Sequence, residues 1–101
     1  MQQTLTKGMA MPSTSDQLLR VFASPRRAYV LDMLESRGEM SVNAIKDELG
    51  QVTQSALSQH LKIMRDADAV QTRRASQTIY YRIADDPAVR ELIEWRRRHS
   101  R

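Results

Sequence analysis

Gln54, Ser55, Ser58, Gln59 and Lys62 share one side of a helical repeat, and Leu57, Leu61 and Met64 recur at i, i+4, i+7 on the other. The first side offers amides, hydroxyls and one cation, and no carboxylate interrupts it before Asp66. Amides and hydroxyls exchange hydrogen bonds with base edges, and a cation attracts phosphate. A merely solvated helix face usually mixes Glu with Lys, so this segment reads as a recognition helix. Thr53 stands where a capping hydroxyl belongs and is the first of its candidate contacts. His60 sits beside Leu61 at the edge of the buried stripe, as a packed or phosphate-touching imidazole. Lys62 is read as a phosphate contact, and Arg65 as either a phosphate contact or an ordinary solvent charge.

A second basic element follows. Val70–Ala75 and Thr78–Ala84 both alternate with period two, and Ser76–Gln77 lies between them. The pattern predicts a β-hairpin whose first strand ends in Arg73–Arg74. Those two arginines point to opposite sides of the strand, so one of them reaches a duplex, helped by Ser76 and Gln77 at the tip. The tip lacks the glycine of a favoured two-residue turn, which predicts a longer loop. Tyr80 and Tyr81 read as hairpin packing.

The rest of the chain must hold these elements. Ser13 or Ser15 caps a first helix to about Ala23, with Leu18, Leu19 and Phe22 on one side. Ser24–Pro25 opens a second helix to about Ser36, with Ala28, Leu31 and Leu34 buried and Gly38 as its stop. Ser41 caps a short third helix with Val42, Ile45 and Leu49 inward, ended by Gly50. Thr53 caps the fourth, which runs to about Ala67. Asp85 or Asp86 caps a fifth with Pro87 at its first position; its apolar residues are Ala88, Val89, Leu92, Ile93 and Trp95. The fold class is mainly α with a small β-hairpin between the fourth and fifth helices, a winged helix-turn-helix. The third helix braces, the fourth enters a major groove, and the hairpin lies over neighbouring phosphates.

Composition agrees. A chain of 101 residues makes one domain with a modest core, which a dimer partner would supplement. The net charge of +4 is uneven. Residues 53–82 hold five cations against two carboxylates, whereas residues 12–52 hold five against six. The positive field therefore surrounds the candidate helix. There is no cysteine, which excludes disulfides and thiolate metal sites. No apolar run is long enough for a membrane span or a secretory segment, so a cytoplasmic location is expected. Residues 1–11 are polar and unpatterned and read as a disordered tail, with a native start at Met9 or Met11; residues 12–101 form the domain. An enzyme is not expected: no glycine-rich phosphate loop exists, and Ser58 and His60, two apart on a helix, do not face each other. Arg96, Arg97, Arg98 and Arg101 read as a solvated basic run.

From Phe22 to Ile83 the chain resembles a known family. Ala23–Ser24–Pro25–Arg26–Arg27 with Val30–Leu31–Asp32–Met33–Leu34, then Met40–Ser41–Val42–Asn43–Ala44–Ile45, then Gln54 to Lys62, then Gln77 to Ile83 are similar in order to the ArsR/SmtB winged-helix repressors, nearest their HlyU-like members. The resemblance implies a homodimer built from the first and last helices, here Leu18, Leu19, Phe22, Val89, Leu92, Ile93 and Trp95. It further implies transcriptional repression at an imperfect palindrome of double-stranded DNA, relieved by a signal that the sequence does not name. Many relatives carry a cysteine pair in the brace helix, where this chain has Ala44, Ile45, Lys46 and Asp47. A second family metal site lies on the last helix, where Asp86 and His99 stand near the expected places but Ala88 replaces a ligand. No metal and no cofactor are expected. The turn before the recognition helix is one residue longer than the family pattern, through Gln51–Val52. The competing function is a winged-helix module that binds protein, against which the charge asymmetry and the missing carboxylates count.

Overall fold

The computed structural model of this chain describes residues 14–99. The expected tail at 1–11 and the Ser13 cap lie outside them. Five helices are α1 (Thr14–Phe22), α2 (Pro25–Arg37), α3 (Val42–Leu49), α4 (Gln54–Asp66) and α5 (Pro87–His99). Three strands are β1 (Met40–Ser41), β2 (Val70–Ala75) and β3 (Thr78–Ile83).

Side-chain caps fix where the central helices start. Ser24 Oγ accepts from Arg27 N at 3.3 Å, Ser41 Oγ from Ala44 N at 3.1 Å and Thr53 Oγ1 from Ala56 N at 3.0 Å. Each satisfies a backbone donor that has no partner within the helix. Asp86, rather than Asp85, serves α5, its Oδ1 accepting from Ala88 N at 2.9 Å. Helix α4 stops without glycine. Asp68 takes a left-handed φ of 56°, its N–H reaches Arg65 O at 2.9 Å, and Ala69 N reaches Met64 O at 3.0 Å. That pairing closes the last turn as a glycine would.

The sheet departs from expectation twice. It has three antiparallel strands in the order β1-β3-β2, with Met40 opposite Tyr81 and Ser41 opposite Tyr80. In addition, the hairpin turn is tight: Ala75 pairs with Thr78, leaving Ser76–Gln77 as a two-residue connection. The longer loop is not needed, because Ser76 itself adopts φ 59°, the conformation that a glycine would supply.

The core is one cluster in which Val21, Val30, Leu31, Leu34, Ile45, Leu57, Met64 and Val89 are the largest fully buried side chains. Burial of each is worth about 1.5–3 kcal/mol. Val42 and Leu49, expected inward, are only half-buried, and Val21 takes the place on α1 that the sequence pattern gave to Leu19. Helix α5 is tied to α2 by charge: Arg96 pairs with Asp32 at 2.8 Å, and Arg90 and Arg97 approach Glu35 at 3.7 and 3.9 Å. Three of the arginines near the C-terminus are therefore bound across helices. Among the described residues no helix is long and apolar enough to cross a membrane.

Candidate nucleic-acid interface

Helix α4 buries Leu57, Leu61 and Met64 and exposes Gln54, Ser55, Ser58, Gln59, Lys62 and Arg65. Among the described residues, the side chains of Gln54, Ser55, Ser58 and Gln59 have no protein partner, so their donors and acceptors are free for a ligand. Lys62 is held by Asp66 at 2.7 Å, one turn on. The hydrogen bond from Lys62 keeps the Asp66 carboxyl below its usual range. Asp66 is thus the one carboxylate on this helix, and it sits at the end away from Gln54.

Both margins of α4 are gripped. On the sheet side Arg65 donates to the Tyr81 hydroxyl. On the other side His60 Nδ1 lies 3.0 Å from Arg27 Nη1. His60, a candidate contact by sequence, is half-buried and engaged by α2, well round the helix from Ser58. Burial first, then Arg27 and Arg26, lower its pKa from the ordinary histidine value.

The register of β2 and β3 separates the two wing arginines. Val70, Thr72 and Arg74 share a face with Ile83, Tyr81 and Ile79, while Gln71, Arg73 and Ala75 share the opposite face with Arg82, Tyr80 and Thr78. The first face carries Tyr81, whose hydroxyl meets α4, so Arg74 lies on the recognition-helix side. Arg74 has no carboxylate partner among the described residues. Arg73 lies 4.4 Å over the Tyr80 ring and is forked onto Glu39, Nε and Nη2 each at 2.7 Å from a carboxylate oxygen. That bidentate hydrogen bond holds Glu39 below the usual carboxylate range. Ser76 and Gln77 are exposed at the tip.

The expected pairing surface is split. Leu18, Val89 and Ile93 are buried in the protomer's own core, and Phe22 and Leu92 are half-buried against it. Leu19 and Trp95 are 57% and 54% exposed and line an apolar groove between α1 and α5 with Leu18, Ala88 and Leu92. Trp95 stacks on His99 at 4.3 Å. His99 Nδ1 lies 2.8 Å from Trp95 O, and the Asp86 carboxylate caps α5, so each of these two side chains has a partner within its own helix end.

Sequence reasoning missed Arg27. The signal was present, since Arg27, Leu31 and Leu34 fall at i, i+4, i+7, the spacing of the buried stripe. A cation at such a position runs against the ordinary make-up of a core, which is why the spacing alone did not single it out.

The brace helix, the exposed helix after it and the paired strands define a winged helix-turn-helix protein. The helix-turn-helix domain family matches residues 22–73. Nodulation protein NolR of Rhizobium meliloti is 43% identical over 74 residues, which is 73% of this chain and 59% of that protein. The transcriptional activator HlyU of Vibrio cholerae is 39% identical over 77 residues, 76% of this chain and 68% of that one. Among solved structures, HlyU from Vibrio cholerae N16961 superposes with a TM-score of 0.75 at 36% identity, covering 85% of this chain and 90% of its own. NolR from Sinorhizobium fredii gives 0.71 at 38% identity, covering 81% and 79%. The chain belongs to the ArsR/SmtB family. It spans about three fifths of the length of several curated relatives it matches.

Proposed function

We propose that this protein is a sequence-specific, DNA-binding transcriptional regulator of the cytoplasm that acts as a homodimer and represses. The observation that carries the reading is the unpartnered arc of Gln54, Ser55, Ser58 and Gln59 on a helix whose other sides are packed or gripped. Short amide and hydroxyl side chains suit a major groove about 12 Å wide. Arg74 and the tip residues Ser76 and Gln77 lie over flanking phosphates, while Lys62, paired with Asp66, stands at the groove's edge. Thr53 caps α4 and presents its N-terminal N–H groups toward phosphate. The α1–α5 groove, with Leu19, Leu92 and Trp95 at its surface, receives the same face of a second copy, which buries these apolar side chains. Twofold pairing then sets the two α4 helices about 34 Å apart, on half-sites one helical turn apart.

Selection of bound duplexes from a random pool tests this. The expected product is a twofold-symmetric motif, with affinity that falls steeply as salt rises. Failure to enrich any duplex, together with binding insensitive to salt, would reject it in favour of a protein partner.

A further inference from the structure

Arg27 is the one buried charged side chain among the described residues, 9% exposed, and no carboxylate balances it. Its guanidinium donates to three other acceptors. Nη2 reaches Arg20 O at 2.9 Å, Nε reaches Val21 O at 3.3 Å, and Nη1 reaches His60 Nδ1 at 3.0 Å. The two carbonyls belong to the last turn of α1, where each otherwise accepts only a long bond from the backbone just past the helix, Ala23 N at 3.3 Å and Ser24 N at 3.5 Å, and where the helix dipole favours a cation. The third acceptor is an imidazole of α4. A guanidinium only donates, so Nδ1 must present its lone pair and the proton sits on Nε2.

We propose that Arg27 and His60 form a positioning pair for DNA binding: the neutral imidazole, accepting from Arg27, fixes the rotation of α4 relative to α1, and protonation of His60 releases it. This rests on the DNA-binding reading above. An imidazolium could not accept from Arg27 and would stand beside the cations of Arg27 and Arg26. Arg27 and Arg26 of α2 act on the imidazole, Arg20 of α1 acts in turn on Arg27, and the residues one turn away on α4 are Ala56, Leu57, Ile63 and Met64. His60 is half-buried and its pKa is lowered by that burial and by the arginines. The folded protein therefore binds this proton less readily than the unfolded chain. The pair is intact above the ordinary histidine range near ~6.5 and is lost as pH falls through and below it.

Two readouts test the pair in the full chain. In the free protein, long-range ¹H–¹⁵N spectra should show His60 protonated at Nε2, and Arg27→Met should raise its midpoint. With a duplex recovered by selection, affinity is measured at pH 7.5 and pH 5.5, and only the ratio is read. The wild type should lose more affinity on acidification than His60→Asn, by up to about tenfold for each His60, because the Oδ1 of that Asn stands near the Nδ1 position and does not titrate. A parallel loss in His60→Asn, or a free-protein spectrum with the proton on Nδ1, overturns the proposal. If no duplex is bound at either pH, the DNA-binding reading fails, and the spectra still decide whether the pair exists.

Discussion

Replacing Arg74 with alanine should remove one phosphate neighbour and nothing else. Arg74 is exposed, lies on the face of the wing that looks toward α4, and is tied to no carboxylate among the described residues. Each phosphate contact contributes about 0.9 to the slope of log affinity against log salt. Between 0.15 M and 1 M salt that amounts to about fivefold in affinity for one contact. Arg74→Ala should therefore bind about fivefold more weakly at 0.15 M, lose about 0.9 of slope, and do so on specific and random duplexes alike. The control is the double substitution of Arg73 and Glu39 by alanine. It removes a pair already neutral within the protein, so the slope should hold. Arg73→Ala alone is a poor control, because it bares the Glu39 carboxylate beside the duplex. Fluorescence anisotropy across a salt series reads all of these, and thermal melts check the fold, since Arg73 also covers Tyr80. An unchanged slope in Arg74→Ala, or an equal loss in the double variant, would refute the division of labour between the two arginines.

Three further outcomes are expected. Ser55→Ala or Gln59→Ala should relax base preference and cost about 1–3 kcal/mol for each base-edge hydrogen bond removed; operator titrations unchanged in both would take these residues out of base reading. Leu19→Glu combined with Trp95→Glu should yield folded monomers in sedimentation, because the charges sit in the exposed α1–α5 groove rather than in the core. Ser76→Gly should raise stability by up to about 1 kcal/mol by relieving its positive φ, and a lowered melting temperature would contradict that account of the turn.

The helix order was legible because each boundary carries local chemistry. Ser24, Ser41 and Thr53 cap through their own hydroxyls, and Gly38 and Gly50 end helices at φ 83° and 71°. The free arc of α4 was legible for a related reason, since short polar side chains filled one side of one helical period. The remaining features have no local signature. Two residues of β1 are too few to show alternation, and their pairing partner Tyr81 lies far along the chain. Asp68 and Ser76 take backbone conformations that composition assigns to glycine, so neither the Schellman stop nor the tight turn shows in residue types. Arg96 meets Asp32 across 64 positions, so that pairing is visible only once α5 lies on α2. The wing arginines could be divided only by strand register, which decides which side chain looks toward α4.

Ser41 is both the last residue of β1, opposite Tyr80 in the wing, and the residue whose hydroxyl starts α3. Wing and brace helix are thereby riveted at a single amino acid, with no slack between them. A hairpin borrowed from a relative would arrive without its anchor unless residues 40 and 41 travelled with it. Conversely, in the DNA-binding mode proposed above, any load on the hairpin would be delivered straight to the scaffold beneath α4.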